Sequence, residues 1–186
     1  MADSIRPNSK DAIVEAAFAV FSRDPSAALS EVADLAGVGR ATLHRYFSSR
    51  DELVRALAHL AIQEMDDAVD KACAGIGSYG EAMRVSLDVL IPLGDRHGFL
   101  ALEPLEDDAE LKDAFDRQRR ETEEMIEAAK SEGLLDPAVP TSWVVQAYDH
   151  LLYAGWESVK AGEATPSQAA DLAWRTLTSG LGRTSA

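Results

Sequence analysis

Cations and hydrogen-bond donors are concentrated in one short stretch of this sequence. Residues 35–50, LAGVGRATLHRYFSSR, form its longest run without a carboxylate, and they include three arginines and one histidine. Arginine can form two hydrogen bonds with the edge of a guanine, and threonine and histidine can bond to bases or phosphates. The whole chain has 18 basic and 32 acidic residues and a net charge of -14. This stretch is therefore the best candidate for contact with nucleic acid.

The residues around this stretch have the spacing of two short helices joined by a tight turn. Gly37 can adopt the positive φ that such a turn needs, and Ala33 is small enough for a close helix crossing. A shared apolar seam is formed by Val32, Ala36, Val38 and Leu43. With this seam inward, the outer face carries Arg40, Thr42, His44 and Arg45. The pattern predicts a helix-turn-helix, and the alternative is an ordinary helical hairpin with a solvated basic face.

The acidity belongs to the rest of the chain. Residues 1–55 contain seven basic and eight acidic groups, whereas the other 131 residues carry 11 basic and 24 acidic groups, a net charge of -13. A pI near 4.6 argues against indiscriminate binding to nucleic acid or anionic lipid. Cys73 is the only cysteine, and charges interrupt every apolar run. We therefore expect no disulfide, no membrane partner and a cytoplasmic location.

Apolar periodicity and capping residues predict an all-α chain of about nine helices. The expected helices span residues 9–22, 30–36, 40–47, 49–73, 79–90, 95–103, 108–131, 142–161 and 165–181. Ser49 and Glu52 have the spacing of a capping box at the start of the fourth helix. The organisation is expected to be a three-helix DNA-binding domain at 1–48 followed by a helical domain at 49–186.

The segment LSEVADLAGVGRATLHRYFSSRDELVRAL, residues 29–57, resembles the DNA-binding signature of the tetracycline-repressor (TetR) family of bacterial regulators. The resemblance extends over about residues 9–60. It implies a repressor that binds a double-stranded DNA operator as a homodimer and is released by a small-molecule effector. By the same resemblance, the DNA contacts are Lys10, Arg40, Thr42, His44, Arg45, Tyr46 and Arg50. His44 departs from the family pattern, which often has tyrosine there.

A dimer interface is expected near the C-terminus. The segment WVVQAYDHLLYAGW, residues 143–156, is apolar nearly all round, which predicts a helix buried on two sides, with one side against a partner. The resemblance likewise implies an interface made by the last two helices. The interface residues predicted are Tyr148, Leu151, Leu152, Trp156, Leu172 and Leu177. The alternative is a central core helix in a monomer.

An effector pocket is expected beside the helix predicted at 108–131. Gln118 and Thr122 fall on its apolar face, where buried polar groups need partners. They either contact a ligand, or bond to neighbouring backbone, or lie at an exposed margin. The predicted pocket residues are Met65, Leu90, Phe99, Phe115, Gln118, Thr122, Met125 and Trp143. In the family, a ligand bound there moves the long helix that begins near residue 49.

Enzymatic chemistry has little support. None of the four histidines has the spacing of a zinc-protease motif, and no glycine-rich phosphate loop is present. Asp95, His97 and Glu103 could bind a metal, but a solvated loop fits them better. We therefore predict no catalytic residue, metal or cofactor. The alternative to a DNA-binding regulator is a helical small-molecule-binding protein without specific DNA binding.

Overall fold

The computed structural model describes residues 9–102 and 108–181, apart from the side chains of His97, Leu102 and Leu181. Within these ranges the expectation of an all-α fold is confirmed. The helices are α1 (Ser9–Phe21), α2 (Leu29–Leu35), α3 (Arg40–Tyr46), α4 (Arg50–Cys73), α5 (Tyr79–Leu90), α6 (Gly94–Leu102), α7 (Ala109–Ser131), α8 (Thr141–Lys160) and α9 (Pro166–Leu181). None of the helices described is long and apolar enough to cross a membrane.

The chain forms two compact units. Among the described residues, the first comprises 9–62 and 95–102, and the second comprises 63–94 and 108–181. This division differs from a boundary after residue 48, since the first half of α4 and nearly all of α6 belong to the first unit. The sequence prediction ended the first domain at the helix-turn-helix because periodicity does not reveal which core a long helix enters.

The first unit is built on the apolar stripes of α1, α2, α3 and the first half of α4. Its fully buried side chains include Ile13, Phe18, Phe21, Val32, Leu43, Leu53, Leu57 and Phe99. The rings of Phe18 and Phe99 meet edge to face with their centroids 5.5 Å apart. The guanidinium of Arg96 lies 4.4 Å from the centre of the Phe18 ring and donates to Glu15 at 2.5 Å. Together Phe99 and Arg96 fix α6 to α1 within this unit.

The turn between α2 and α3 has the predicted geometry. Gly37 has a φ of 66°, a conformation that side chains with a Cβ rarely adopt. Ala33 is buried, and its carbonyl accepts a hydrogen bond from Val38 N–H at 3.0 Å. These two features hold the start of α3 close to the end of α2. The sequence therefore specified this turn through local chemistry alone.

The start of α4 is capped by the predicted residues, although not in the predicted pattern. Ser49 Oγ accepts from Glu52 N–H at 3.1 Å, as in a capping box. The Glu52 carboxylate, however, accepts from the Ser48 N–H at 2.8 Å and the Ser48 hydroxyl at 2.6 Å. These bonds from Ser48 lower the pKa of Glu52 below its ordinary value.

The second unit has its core between α5, α7, α8 and α9. The buried side chains include Met83, Leu87, Ile91, Ile126, Leu135, Val144, Val145, Tyr148, Leu152, Ala170, Ala173 and Leu177. The Trp156 indole packs against Gly94, where even a methyl group would overlap the ring. The carboxylate of Glu132 accepts from the N–H groups of Tyr79 and Gly80 at 2.9 and 3.0 Å, which caps α5. Apolar packing and a polar cap therefore hold α5 in this unit.

Candidate nucleic-acid interface and ligand site

Helix α3 presents a row of polar side chains. Leu43 is buried against the first unit's core, and the side chains of Arg40, His44 and Arg45 are exposed. Thr42 and Tyr46 are half-buried, and the guanidinium of Arg45 lies 5.1 Å from the centre of the Tyr46 ring. A short helix with one buried leucine and an exposed row of donors has the shape and chemistry needed to enter a major groove.

A shallow groove runs beside this row. It has a volume of about 190 Å³ and is lined by Leu29, Ser30, Arg40, Leu43 and His44. Arg40 and His44 are one helical turn apart and therefore face the same side of α3. The N-terminal half of α2 and the exposed face of α3 thus form one concave surface with hydroxyl, imidazole and guanidinium donors. Lys10 is exposed near the start of α1.

Arg50 is engaged within the first unit, although we predicted that it contacts phosphate. Its guanidinium donates to the Pro25 carbonyl and lies 4.8 Å from the centre of the Phe21 ring. These contacts tie the first turn of α4 to the connection between α1 and α2. The sequence did not predict these two contacts, because both partners are distant in sequence, and the phosphate contact of Arg50 stays a prediction.

The polar residues predicted to line a ligand pocket both have partners within the second unit. Gln118 Nε2 donates to Asp66 Oδ1 at 2.6 Å, and Thr122 Oγ1 donates to the Gln118 carbonyl at 2.9 Å. Arg117 Nη2 also donates to Asp66, to Oδ2 at 2.6 Å. Thr122 follows the alternative of bonding to neighbouring backbone, whereas Gln118 binds a carboxylate. Sequence analysis missed Asp66, since one acid in so acidic a chain gives no signal.

Two of the predicted pocket residues are placed differently from the others. Phe99 is fully buried in the first unit, where its ring meets that of Phe18. Trp143 is 65% exposed at the start of α8. Both were assigned to the pocket because they are large and apolar, and that property does not determine which core a residue joins. The other apolar residues of the prediction, Met65, Leu90, Phe115 and Met125, are all half-buried.

The predicted interface residues divide between the core and the surface. Tyr148, Leu152, Trp156 and Leu177 are buried within the second unit, each with no more than 7% of its surface exposed, and their contact with a partner stays a prediction. The hydroxyl of Tyr148 donates to the Met83 carbonyl at 3.1 Å, and burial raises its pKa well above the ordinary value. Leu151 is half-buried and Leu172 is 49% exposed.

Helix α8 has one buried side and one exposed side within the protomer, so the predicted burial on two sides is not complete in a single chain. Its exposed side carries Trp143 and Tyr153, with 65% and 43% of their surfaces accessible. Tyr153 was absent from the predicted interface. The sequence did not single it out, because apolar residues on all sides of a helix do not reveal which side the protomer's own core covers.

Of the three residues considered for a metal site, Asp95 has a described side chain. Asp95 Oδ2 accepts from Arg96 Nη1 at 2.7 Å. Glu103 and the side chain of His97 lie outside the described residues. No group of three or more metal-ligating side chains occurs in the described part of the chain.

The comparisons with known proteins agree on one family. The family of bacterial regulatory proteins named after tetR matches residues 13–57, which include α2 and α3. The chain is 33% identical over 177 residues to the transcriptional repressor LfrR of Mycolicibacterium smegmatis, covering 95% of this chain and 92% of LfrR.

Solved structures show the same fold. The TetR-like regulator LfrR in complex with proflavine has a TM-score of 0.74 and 32% identity, covering 95% of this chain and 97% of that chain. The MbdR regulator of Azoarcus sp. CIB also has a TM-score of 0.74, with 19% identity, and covers 94% of this chain and 99% of its own. Because the identity is 19%, the similarity to MbdR supports the fold of this chain and no functional property.

Proposed function

Because the chain belongs to the TetR family of bacterial regulatory proteins, we propose that it is a transcriptional repressor that binds an operator and leaves it when a small molecule binds. The exposed row Arg40, His44 and Arg45 on a helix anchored by buried Leu43 carries the proposal. This row lies in the segment that matches the family. Such a protein acts without enzymatic turnover, on DNA in the bacterial cytoplasm.

The proposed active form is a homodimer. One helix-turn-helix makes few base contacts, and two recognition helices about 34–36 Å apart read successive turns of a palindromic site. The exposed apolar side chains Trp143, Tyr153 and Leu172 on α8 and α9 support this proposal, since large exposed apolar groups commonly mark interfaces. Trp143 and Tyr153 extend the set of candidate contact residues beyond those of the sequence prediction.

The proposed effector is a flat aromatic small molecule. LfrR, which is similar over 95% of this chain, has been solved in complex with proflavine, an aromatic cation. In this chain, half-buried Met65, Leu90, Phe115 and Met125 in the second unit offer apolar surface for such a molecule. Gln118 and Thr122 add polar groups among them.

The proposal is tested by selecting operator sequences from random duplexes and measuring affinity at several salt concentrations. We expect recovery of a palindromic site and a steep loss of affinity with salt. Arg40→Ala should change the preferred base at one position of each half-site, with a loss of about 1–3 kcal/mol at that base.

Arg50→Ala provides the matched control in the same experiment. Because Arg50 contacts Pro25 and Phe21 in the first unit, its loss should weaken binding to all sequences while the salt slope stays unchanged. A phosphate contact would instead flatten the slope by about 0.9. Recovery of no palindromic site would refute the repressor proposal and favour a small-molecule-binding protein without specific DNA binding.

A further inference from the structure

The second half of α4 is held differently from the first. Residues 50–62 include six buried side chains, whereas none of the residues 63–73 is buried. Instead, Asp66 binds two side chains of α7: Arg117 on Oδ2 and Gln118 on Oδ1, both at 2.6 Å. One of the contacts that join this half of α4 to α7 is therefore polar and partly exposed, and such a contact is easier to exchange than apolar packing.

Arg117 has a second partner within its own helix. Its Nε lies 3.7 Å from Oε1 of Glu121, one turn along α7. The Arg117 side chain is 48% exposed and that of Asp66 is 30% exposed. Ion pairs this accessible contribute little to stability because water screens both charges. Arg117 can therefore leave Asp66 and remain paired with Glu121 at small cost.

We propose that Asp66 is the cation-binding group of the effector site, and that an aromatic monocation binds there by taking the place of Arg117. This inference rests on the function proposed above and specifies the chemistry of its effector. A bound cation with one positive charge replaces Arg117 as the ionic partner of the Asp66 carboxylate. Gln118 remains bound to the other carboxylate oxygen, so the site keeps a fixed polar end.

Two side chains close in sequence to Asp66 and Gln118 suit an aromatic cation. Met65 precedes Asp66 on α4, and Phe115 lies one turn before Gln118 on α7, and both are half-buried. A thioether and a phenyl ring favour contact with flat aromatic molecules, and the ring face also attracts positive charge. The net charge of -13 on residues 56–186 further raises the local concentration of cations.

Exchange at Asp66 provides a route to regulation. When the effector replaces Arg117, the second half of α4 loses its ionic tie to α7. The helix continues without a break into the first unit, where Leu53 and Leu57 are fully buried in the core with Leu43 of α3. A change in the position of α4 preferred by the liganded state would then alter DNA affinity.

The test measures binding of proflavine, as the cationic probe, to the full chain and to variants by fluorescence titration. Asp66→Asn should weaken proflavine binding by about tenfold, since a charge-assisted contact is lost. Arg117→Gln removes the internal competitor and should strengthen binding by about threefold. Asp67→Asn, at the exposed neighbouring position, should leave the affinity unchanged.

The opposite signs distinguish ligand recognition from a structural role of the Asp66–Arg117 pair. If the pair only held α4 to α7, both variants would shift proflavine affinity in the same direction, and the proposal would be overturned. Acridine, which has the same three rings but no charge at mildly alkaline pH, should bind equally to the wild type and both variants.

Operator binding measured on the same samples separates this inference from the proposed function. Equal proflavine affinity in the wild type and Asp66→Asn, or no binding to either, refutes the Asp66 assignment even where specific operator binding persists. Loss of proflavine affinity in Asp66→Asn with operator affinity retained supports it, because that variant is then folded.

Discussion

The two halves of α4 differ in how they are held. Leu53, Val54, Leu57, Ala58, Ala61 and Ile62 are buried in the first half, whereas the second half carries half-buried and exposed side chains together with the bonds of Asp66. The first half is part of the core that supports the DNA-reading helix. The difference shows that one continuous helix combines an apolar, buried half with a half that has no buried side chain and that bonds to α7 through Asp66.

Substitutions in the two halves of α4 provide the largest expected contrast. Leu57→Ala should reduce the free energy of unfolding by roughly 2–5 kcal/mol, because a fully buried side chain leaves a cavity. Val69→Ala in the second half, where the side chain is half-buried, should cost less than about 1 kcal/mol. Urea unfolding of both variants under one condition measures the contrast. Equal losses would contradict it.

Because the second half of α4 has no buried side chain, other packing must stabilise the second unit. A substitution at Gly94 tests the packing of Trp156 there. Gly94→Ala places a methyl group in the space of the Trp156 indole and should destabilise by about 1–3 kcal/mol or more. Gly77→Ala is the matched control, because its added methyl group meets no atom within 4 Å. Thermal unfolding should separate the two variants clearly. Similar melting temperatures would show that Trp156 does not pack tightly on Gly94.

The polar cap of α5 should give the smallest effect and a pH dependence. Hydrogen bonds from the N–H groups of Tyr79 and Gly80, and then from Ser78, lower the pKa of Glu132. A folded-state pKa below the unfolded value adds stability above the unfolded pKa, and this stability is lost as the pH falls through the folded pKa. Glu132→Gln should lower the Tm at neutral pH by about 2 °C.

The acid response supplies the check on the Glu132 prediction. The difference between the wild type and Glu132→Gln should shrink as the pH falls below the ordinary pKa of a glutamate and the carboxylate becomes protonated. Glu163→Gln, at an exposed position, should show no such convergence. A constant difference across this range would mean that the charge of Glu132 does not stabilise the start of α5.

The DNA-reading surface was the part of the molecule most accessible to sequence analysis. Gly37 requires a turn, Ala33 allows a close crossing, and Leu43 must face inward, so Arg40, His44 and Arg45 are forced outward. These constraints act between residues a few positions apart. Constraints of the same local kind predicted the bounds of the nine described α-helices to within about two residues of the observed ones, which is the usual uncertainty of helix ends.

The ligand and interface predictions depended on more distant relations. Phe99 joins the first unit, Trp143 is exposed, and Tyr148 and Trp156 enter the protomer's core. Each of these residues is apolar, and hydrophobicity alone indicates that it avoids water without indicating which surface covers it. Periodicity therefore identified the helices correctly and could not assign their apolar sides.

The sequence by itself determined the helices, the turn at Gly37 and the exposed donors of α3, because periodicity, capping and backbone sterics operate over a few residues. The partners of Arg50 and Asp66, in contrast, are set by the folding of the whole chain. Arg50 meets Pro25 across 25 positions, and Asp66 meets Arg117 across 51. A charged side chain takes its function from the partner that packing places beside it, and the local sequence does not specify that partner.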